Sequence, residues 1–417
     1  MCYIRLLDSG SIITCERRSK IIGHNLMRII MVKWKYVFII LNISIMLVFA
    51  VLFYTGISPQ TMLSGVVVQN ERPKREITTI MNGEFQTQYS NWFSDNFPFR
   101  TYLVKAYDQI LFNTGSVVNG IKAGKDGNLF GENFTNQSLV GTLDEEQVKN
   151  YAENLKLIQE ELEARGKVFV YLITPSKAEI FPEDLPWNYK AAYNCLNETA
   201  NIRRTLIKDF DECNINYLDF TKLTLQLKNN GDYPVFYRTG IHWSQYATSQ
   251  ALMEMLNFIE DKSSIDIPHI NLSYQKIENA EWDEQDYLKL LNLYYSNYEE
   301  DYYTANIELN ENNIELKRAF AMSTSFSHSL VNLFQKSNMP FSYLWRSQYT
   351  QFQDKLYLEG NHTKWEGSIP GVAIDDMNFD DIVNQSDIIY IENNACELPQ
   401  SHIDFVHYLS AYLSQQQ

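Results

Sequence analysis

The sequence has few basic residues and few cysteines, and these shortages exclude several classes of protein. Its 417 residues include 35 Lys+Arg against 51 Asp+Glu, which gives a formal net charge of −16. Without a basic stripe to bind phosphates, a nucleic-acid partner is excluded. The five cysteines show no metal-ligand spacing, so we predict neither a metal site nor a cofactor. Because 45% of the residues are apolar, the chain is not disordered.

The cysteines fall on both sides of a long apolar run. Cys2 and Cys15 precede it, and Cys195, Cys213 and Cys396 follow it. Three cysteines cannot all pair with one another, which argues against a disulfide framework. A single disulfide between Cys195 and Cys213 remains as an alternative.

The apolar run, residues 37–54, contains 18 residues without a charge and indicates a membrane-spanning helix. A cleaved signal peptide usually has a shorter apolar stretch that ends in a small-x-small site, whereas this run closes with Leu52, Phe53 and Tyr54. Seven basic and two acidic residues precede Tyr36, so the positive-inside rule leaves the N-terminal flank in the cytoplasm. We therefore predict a single-pass protein in a lipid bilayer, with its C-terminal part periplasmic or extracellular.

These patterns predict four regions. Residues 1–33 form a short basic cytoplasmic segment, 34–56 the signal anchor, 57–120 a juxtamembrane region and 121–417 one large domain. Within the domain, residues 273–312 are acidic and rich in Tyr and Asn, which indicates an insertion or lid, or alternatively a solvated helical excursion.

Helical and strand patterns alternate through the large domain. Amphipathic residues 143–165 precede the apolar stretch 168–174, and the same order recurs at residues 197–209 and 215–220. Further apolar strands are expected at 316–323 and 388–392, each followed by a helix, and Ser244 is placed to cap another helix. Apolar strands that alternate with amphipathic helices predict an α/β fold, an α/β/α sandwich on a mainly parallel sheet.

Two turns carry candidate catalytic side chains. In STSFS (residues 323–327) an apolar strand stops at hydroxyl residues just before a helix, where backbone N–H groups stabilise an oxyanion. An ordinary N-cap has the same pattern. In YRTGIHW (residues 237–243) a histidine precedes a tryptophan, and a histidine can accept and return a proton near neutral pH. A packed histidine without a role is the alternative.

At these turns the sequence resembles the alginate O-acetyltransferase J/X family. GIHWS (240–244) and STSFS (323–327) are similar to the family's Asp-x-His-Trp-(Ser/Thr) and Gly-(Asp/Thr)-Ser-Phe motifs, in the same order and at a similar interval. Four weaker matches are SDNFPFR (94–100), GKDGNLF (124–130), TPSK (174–177) and IIYIEN (388–393). The resemblance implies an SGNH-hydrolase-like domain with permuted motif order, in which Ser325 is the nucleophile and His242 its base. It also implies that Trp243, Ser323, Thr324 and Arg346 contact substrate.

One departure from the family pattern affects the expected chemistry. Gly240 stands where the family has the aspartate that orients the histidine. Loss of that aspartate in serine proteases costs roughly four orders of magnitude in turnover. The alternatives are a Ser-His dyad, an acid supplied from elsewhere such as Asp219 or Asp232, or a degenerate site that binds glycan. Ser323 and Thr324 also replace family residues, but either backbone N–H could still donate to an oxyanion.

The resemblance implies an O-acetyltransferase that acts on an exported polysaccharide through a serine acyl-enzyme. The acetyl group would come from a membrane-bound O-acyltransferase. Two other functions use the same features: a non-catalytic glycan-binding or scaffold subunit of the export machinery, which Gly240 favours, and a polysaccharide acetylesterase.

Overall fold

The structure is a computed structural model that describes residues 33–57, 60–65, 70–196, 201–280, 284–310, 317–336, 341–345, 351–353, 358–359, 362–363, 374 and 377–416. The chain divides into two units, Met1–Ala106 and Tyr107–Gln417.

The first unit begins with a long apolar helix. Helix α1 (Lys33–Thr55) has a mean hydropathy of 2.7 and is long enough to cross a membrane; it contains the whole apolar run 37–54. Its side chains are exposed along most of its length. Three further helices are α2 (Ile77–Met81), α3 (Glu84–Asn96) and α4 (Arg100–Asn113).

The second unit alternates strands with helices, as the sequence predicts. The strands are β1 (Ile121–Ala123), β2 (Leu129–Gly131), β3 (Val168–Thr174), β4 (Tyr217–Asp219), β5 (Ile270–Ile277), β6 (Tyr302–Leu309), β7 (Ala319–Ser323), β8 (Phe341–Trp345), β9 (Gln351–Gln353), β10 (Leu358–Glu359), β11 (His362–Thr363) and β12 (Ile388–Asn394). The helices are α5 (Glu132–Val140), α6 (Glu145–Ala164), α7 (Lys177–Ile180), α8 (Trp187–Leu196), α9 (Ile202–Cys213), α10 (Phe220–Asn230), α11 (Gln245–Lys262), α12 (Asp286–Leu290), α13 (His328–Lys336), α14 (Phe379–Gln385) and α15 (Gln400–Ser414).

A six-stranded sheet in the order β4-β3-β12-β7-β8-β9 forms the centre of this unit. The pairs from β4 to β8 are parallel, and only the edge strand β9 is antiparallel. The carboxyl ends of β3, β7 and β12 therefore meet at one edge of the sheet, where ligands bind in open α/β folds. The predicted mainly parallel sheet is confirmed.

Apolar residues cover both faces of the sheet, which explains why β3 and β12 are buried at every position. Alternate residues of a strand point to opposite faces. On β3, Val170 and Leu172 pack with α10, α11 and α13, whereas Phe169 and Tyr171 pack with α6, α9 and α15. The result is the predicted three-layer α/β/α sandwich.

The described residues of segment 273–312 are largely not helical. Strands β5 and β6 pair along their whole length as an antiparallel ribbon, and the only α-helix in the described part of the segment is the five-residue α12. Tyr302 and Ala305 of β6 are buried, and Ala305 belongs to the core that includes α11. The solvated helical alternative was therefore wrong, because the segment buries apolar side chains against the domain.

Candidate active site

Ser325 lies directly after the carboxyl end of β7. Buried strand residues end at Ser323, and a short 3-10 turn, Ser325–Ser327, leads into α13. The side chain of Thr324 accepts a hydrogen bond from Phe326 N at 3.2 Å, so Thr324 is the N-cap. Ser325 is half-buried, and its hydroxyl remains available for another role.

His242 reaches this serine from a loop. Phe236 and Trp243 form an antiparallel bridge that closes residues 237–242 into a tight loop ahead of α11, which Ser244 caps as predicted. His242 Nε2 lies 3.0 Å from Ser325 Oγ, although 83 positions separate the two residues. The histidine is 8% exposed, with its ring packed on Phe326. The structure thus brings the two predicted catalytic residues into hydrogen-bond distance.

The other ring nitrogen of His242 contacts an acid that the sequence did not reveal. Asp286 Oδ2 lies 2.9 Å from His242 Nδ1. Its second oxygen, Oδ1, accepts hydrogen bonds from Ile241 N and Tyr287 N, both at 2.8 Å. Asp286 is the first residue of α12, inside the acidic insertion. Its carboxylate is held in place by the backbone N–H of the residue before the histidine and by that of the residue after Asp286 itself.

The two acids suggested by the sequence have other positions. Asp219 caps α10 and pairs with Arg203 at 2.9 Å, and Asp232 is exposed. No local pattern could have identified Asp286, because its contact with the histidine depends on the fold of the insertion.

Lys177, in the TPSK motif that follows β3, binds the loop that carries His242. Its Nζ donates to the carbonyl oxygens of Gly240 at 2.7 Å, Tyr237 at 2.9 Å and Arg238 at 3.1 Å. The side chain is buried, and this desolvation lowers the pKa of Lys177 to about 7. The sequence identified this lysine only as part of a motif, and the structure shows that it binds the carbonyl oxygens of the loop before His242.

Glu392, at the end of β12, fixes the serine turn. It accepts hydrogen bonds from Thr324 N at 2.8 Å, from Thr324 Oγ1 at 2.9 Å and from Thr174 Oγ1 at 2.6 Å. Burial raises the pKa of this carboxyl to about 7. Because the Thr324 amide already donates to Glu392, our expectation that it could serve an oxyanion was wrong.

The other predicted substrate contacts are buried or not described. Trp243 is 1% exposed, and its indole Nε1 donates to Phe326 O at 2.9 Å, so it joins the two motifs and leaves almost no surface for a substrate. Ser323 and Thr324 are also buried, at 0% and 2% exposure. Because these three side chains are buried in the core, they pack beneath the site and do not offer a surface to a substrate. Arg346 lies outside the described residues.

Cysteines and metal ligands do not contribute to this site. Cys213 and Cys396 are free thiols. The side chain of Cys195, the other half of the bridge left open by the sequence, lies outside the described residues. Within the described ranges, no group of three or more His, Cys, Asp or Glu side chains could hold a metal ion.

The fold and the Ser325–His242 pair define an SGNH hydrolase-like domain. Residues 121–315 match the family model described as the SGNH hydrolase-like domain of the acetyltransferase AlgX. Over about half of its length the chain is similar to AlgX and AlgJ, which confirms the resemblance carried by its motifs.

Curated proteins named AlgJ are also similar to this chain. The chain is 27% identical over 201 residues to the probable alginate O-acetylase AlgJ of Pseudomonas aeruginosa, a match that covers 46% of this chain and 47% of that protein. It is 28% identical over 209 residues to the protein of the same name from Pseudomonas syringae pv. tomato, with 49% and 50% covered. The match spans about half the length of these relatives.

Two solved structures are also similar. The O-acetyltransferase domain of Pseudomonas putida AlgJ aligns with a TM-score of 0.41 and 16% identity, over 72% of this chain and 99% of that one. AlgX of Pseudomonas aeruginosa aligns with a TM-score of 0.42 and 14% identity, over 69% and 65%.

Proposed function

We propose that this protein is a membrane-anchored O-acetyltransferase that acetylates an exported polysaccharide through a serine acyl-enzyme. One observation carries the proposal: Ser325 Oγ, His242 Nε2, His242 Nδ1 and Asp286 Oδ2 form a continuous relay, with contacts of 3.0 Å and 2.9 Å. A nucleophile, a base and an acid that orients the base are the three parts of serine acyl-transfer chemistry.

In the first half-reaction, His242 removes the proton from Ser325 as its Oγ attacks the carbonyl carbon of an acetyl donor. The tetrahedral intermediate collapses, the bond to the leaving group breaks, and the imidazolium of His242 returns the proton to that group. Asp286 stabilises the imidazolium and keeps the proton-accepting Nε2 turned toward the serine.

In the second half-reaction, the acceptor takes the acetyl group. His242 removes the proton from a sugar hydroxyl, whose oxygen attacks the acyl-enzyme carbonyl. The bond to Ser325 Oγ breaks, and His242 reprotonates the serine. The products are an O-acetylated sugar and free enzyme.

The location of Asp286 supports an enzyme over a scaffold subunit. Gly240 favours a scaffold function because the family's aspartate is missing there. Asp286, from another segment, contacts His242 instead, which removes that argument. An acetylesterase would use the same three residues with water as acceptor, so the fate of the acyl group must distinguish transfer from hydrolysis.

The exposed apolar helix α1 supports a membrane anchor. With Lys33 and Lys35 at its start, the positive-inside rule places the large domain outside the cytoplasm, beside exported glycan. The acetyl group then has to cross the membrane, so a membrane-bound O-acyltransferase is the proposed supplier. Alkaline carbonate extraction tests the anchor: the full chain should stay with the membrane and dissolve only in detergent.

The catalytic proposal is tested by intact mass. The full chain in detergent is incubated with p-nitrophenyl acetate beside Ser325→Ala and His242→Ala. A gain of about 42 Da, the mass of one acetyl group, is expected in the wild type and in neither variant. If the folded wild type gains no mass and releases no p-nitrophenol, the scaffold function replaces this proposal. Adding oligosaccharide then separates transferase from esterase, because only a transferase gives acetylated sugar.

A further inference from the structure

An open groove of about 1120 Å³ lies beside the loop that carries His242. Its walls are residues 231–238 and 298–303, with Phe181, Lys228, Glu278 and Gln285. Neither Ser325 nor His242 lines it, so it is distinct from the acyl-transfer site. Its volume exceeds the roughly 300–1,000 Å³ typical of small-ligand pockets, which fits a chain of several sugar units better than a small acetyl donor.

Tyrosines form much of the groove surface. Tyr233, Tyr298 and Tyr303 are half-buried, so each keeps exposed ring surface, and Tyr233 and Tyr303 pack with their ring centroids 4.9 Å apart. Aromatic rings provide flat apolar surface at low cost in side-chain entropy. The C–H faces of pyranose rings pack on such surfaces, which favours a carbohydrate.

The cations of the groove already have partners. Lys228 forms an ion pair with Glu183 and lies 4.3 Å from the ring centroid of Phe181. Arg238 contacts Glu300 at 3.4 Å and lies over the ring of Tyr298. In both contacts a cation lies over an aromatic ring of the groove wall. Because both cations already pair with carboxylates, little positive charge remains to bind an anionic glycan.

Carboxylates, in contrast, remain available. Asp232, Glu278 and Glu299 are exposed, and no side-chain partner is found for them in the described part of the chain. Glu300 and Asp301 add two further carboxylates to the same walls, although Glu300 is paired with Arg238 and Asp301 with Lys276. The groove therefore combines exposed aromatic surface with an excess of negative charge, which attracts cations and repels anions.

We propose that this groove binds the acceptor polysaccharide and selects one that carries free amino sugars. Each protonated amine would pair with a groove carboxylate or lie over a tyrosine ring, while the sugar rings pack on the tyrosines. The inference rests on the proposed function, because it names the class of glycan whose hydroxyl receives the acetyl group. A polyuronate would bring its carboxylates against those of the groove.

Calorimetry on the full-length Ser325→Ala protein in detergent tests this selection without turnover. The three probes are a glucosamine hexamer, an N-acetylglucosamine hexamer and a mannuronate hexamer. The glucosamine hexamer should bind on the order of tenfold more tightly than the N-acetylated one, and its affinity should fall as salt is raised. Equal binding of the first two, or tighter binding of mannuronate, would overturn the proposal.

A matched pair of triple variants separates the groove from the overall acidic charge. Asp232→Asn/Glu278→Gln/Glu299→Gln removes three groove carboxylates, and Glu145→Gln/Glu146→Gln/Glu153→Gln removes three exposed ones on α6. Only the groove triple should weaken binding of the glucosamine hexamer, by about tenfold or more. The proposal is wrong if both triples weaken it equally, since the attraction is then non-specific.

This result is independent of the acyl-enzyme experiment. If Ser325 takes up no acetyl group but the groove binds glucosamine oligomers, the transferase function falls and a glycan-binding site remains. If Ser325 is acetylated but the groove binds no amino sugar, only the acceptor class is wrong.

Discussion

The ammonium group of Lys177 donates a hydrogen bond to the carbonyl oxygen of Gly240 over 2.7 Å, at the position where the family motif has aspartate. The loop before His242 is thus held by the first residue of α7, the short helix that follows β3. On its other side, Asp286 accepts from Ile241 N and contacts the histidine itself. Two distant segments together position His242, beside which the local motif alone supplies no acid.

Asp286→Asn should lower turnover of p-nitrophenyl acetate by about 10²–10⁴-fold, because an amide cannot stabilise the imidazolium and favours the wrong tautomer of the histidine. The melting temperature should change little. Asp261→Asn, which changes an exposed carboxylate at the end of α11, is the matched control and should retain full turnover. If Asp286→Asn retains turnover within about twofold, the site works as a Ser-His dyad.

Lys177→Ala should slow acetylation of Ser325 by about 10–100-fold, because three loop carbonyls lose their donor and His242 is no longer held at the serine. The rate of mass gain measures this effect. Lys208→Ala, at an exposed position on α9, should acylate at the wild-type rate. A normal rate in Lys177→Ala would mean that Asp286 alone positions the loop.

Glu392 should make stability depend on pH. Its pKa is about 7 in the folded protein and about 4.5 in the unfolded chain, so its contribution is fully present below about pH 4.5 and is lost as pH rises through 7. The loss amounts to at most about 3 kcal/mol. Glu392→Gln removes this titration. Between pH 5 and pH 8, the free energy of unfolding should therefore fall less in this variant than in the wild type. Urea unfolding across that range tests this; parallel profiles for the two proteins would contradict it.

Trp243→Phe should lower the free energy of unfolding by about 1–3 kcal/mol, because the buried carbonyl of Phe326 loses its donor. Turnover should fall as well, since this bond ties the histidine motif to the serine turn. Trp187→Phe, at an 80% exposed position, is the control and should be neutral in urea unfolding. Equal stability of the two variants would show that the indole bond adds nothing.

The local patterns of the sequence were enough to predict the long apolar helix α1 and the alternation of strands with helices. A run of 18 uncharged residues predicts a span, and the buried strands β3 and β12 appear as continuous apolar stretches. These features depend on neighbours in the sequence, through helical or strand periodicity and burial. Ser325 and His242 were indicated instead by the resemblance of the two motifs to those of the alginate O-acetyltransferase J/X family.

Only the tertiary structure identified the acid. Asp286 contacts His242 because the β5–β6 ribbon packs against α11 and brings α12 to the loop, and no local pattern encodes that approach. In the same way, the backbone N–H of Thr324 donates its hydrogen bond to Glu392 because β7 and β12 are neighbours in the sheet. Periodicity determines which face of an element is buried, whereas the packing of distant elements determines which polar groups meet at the site.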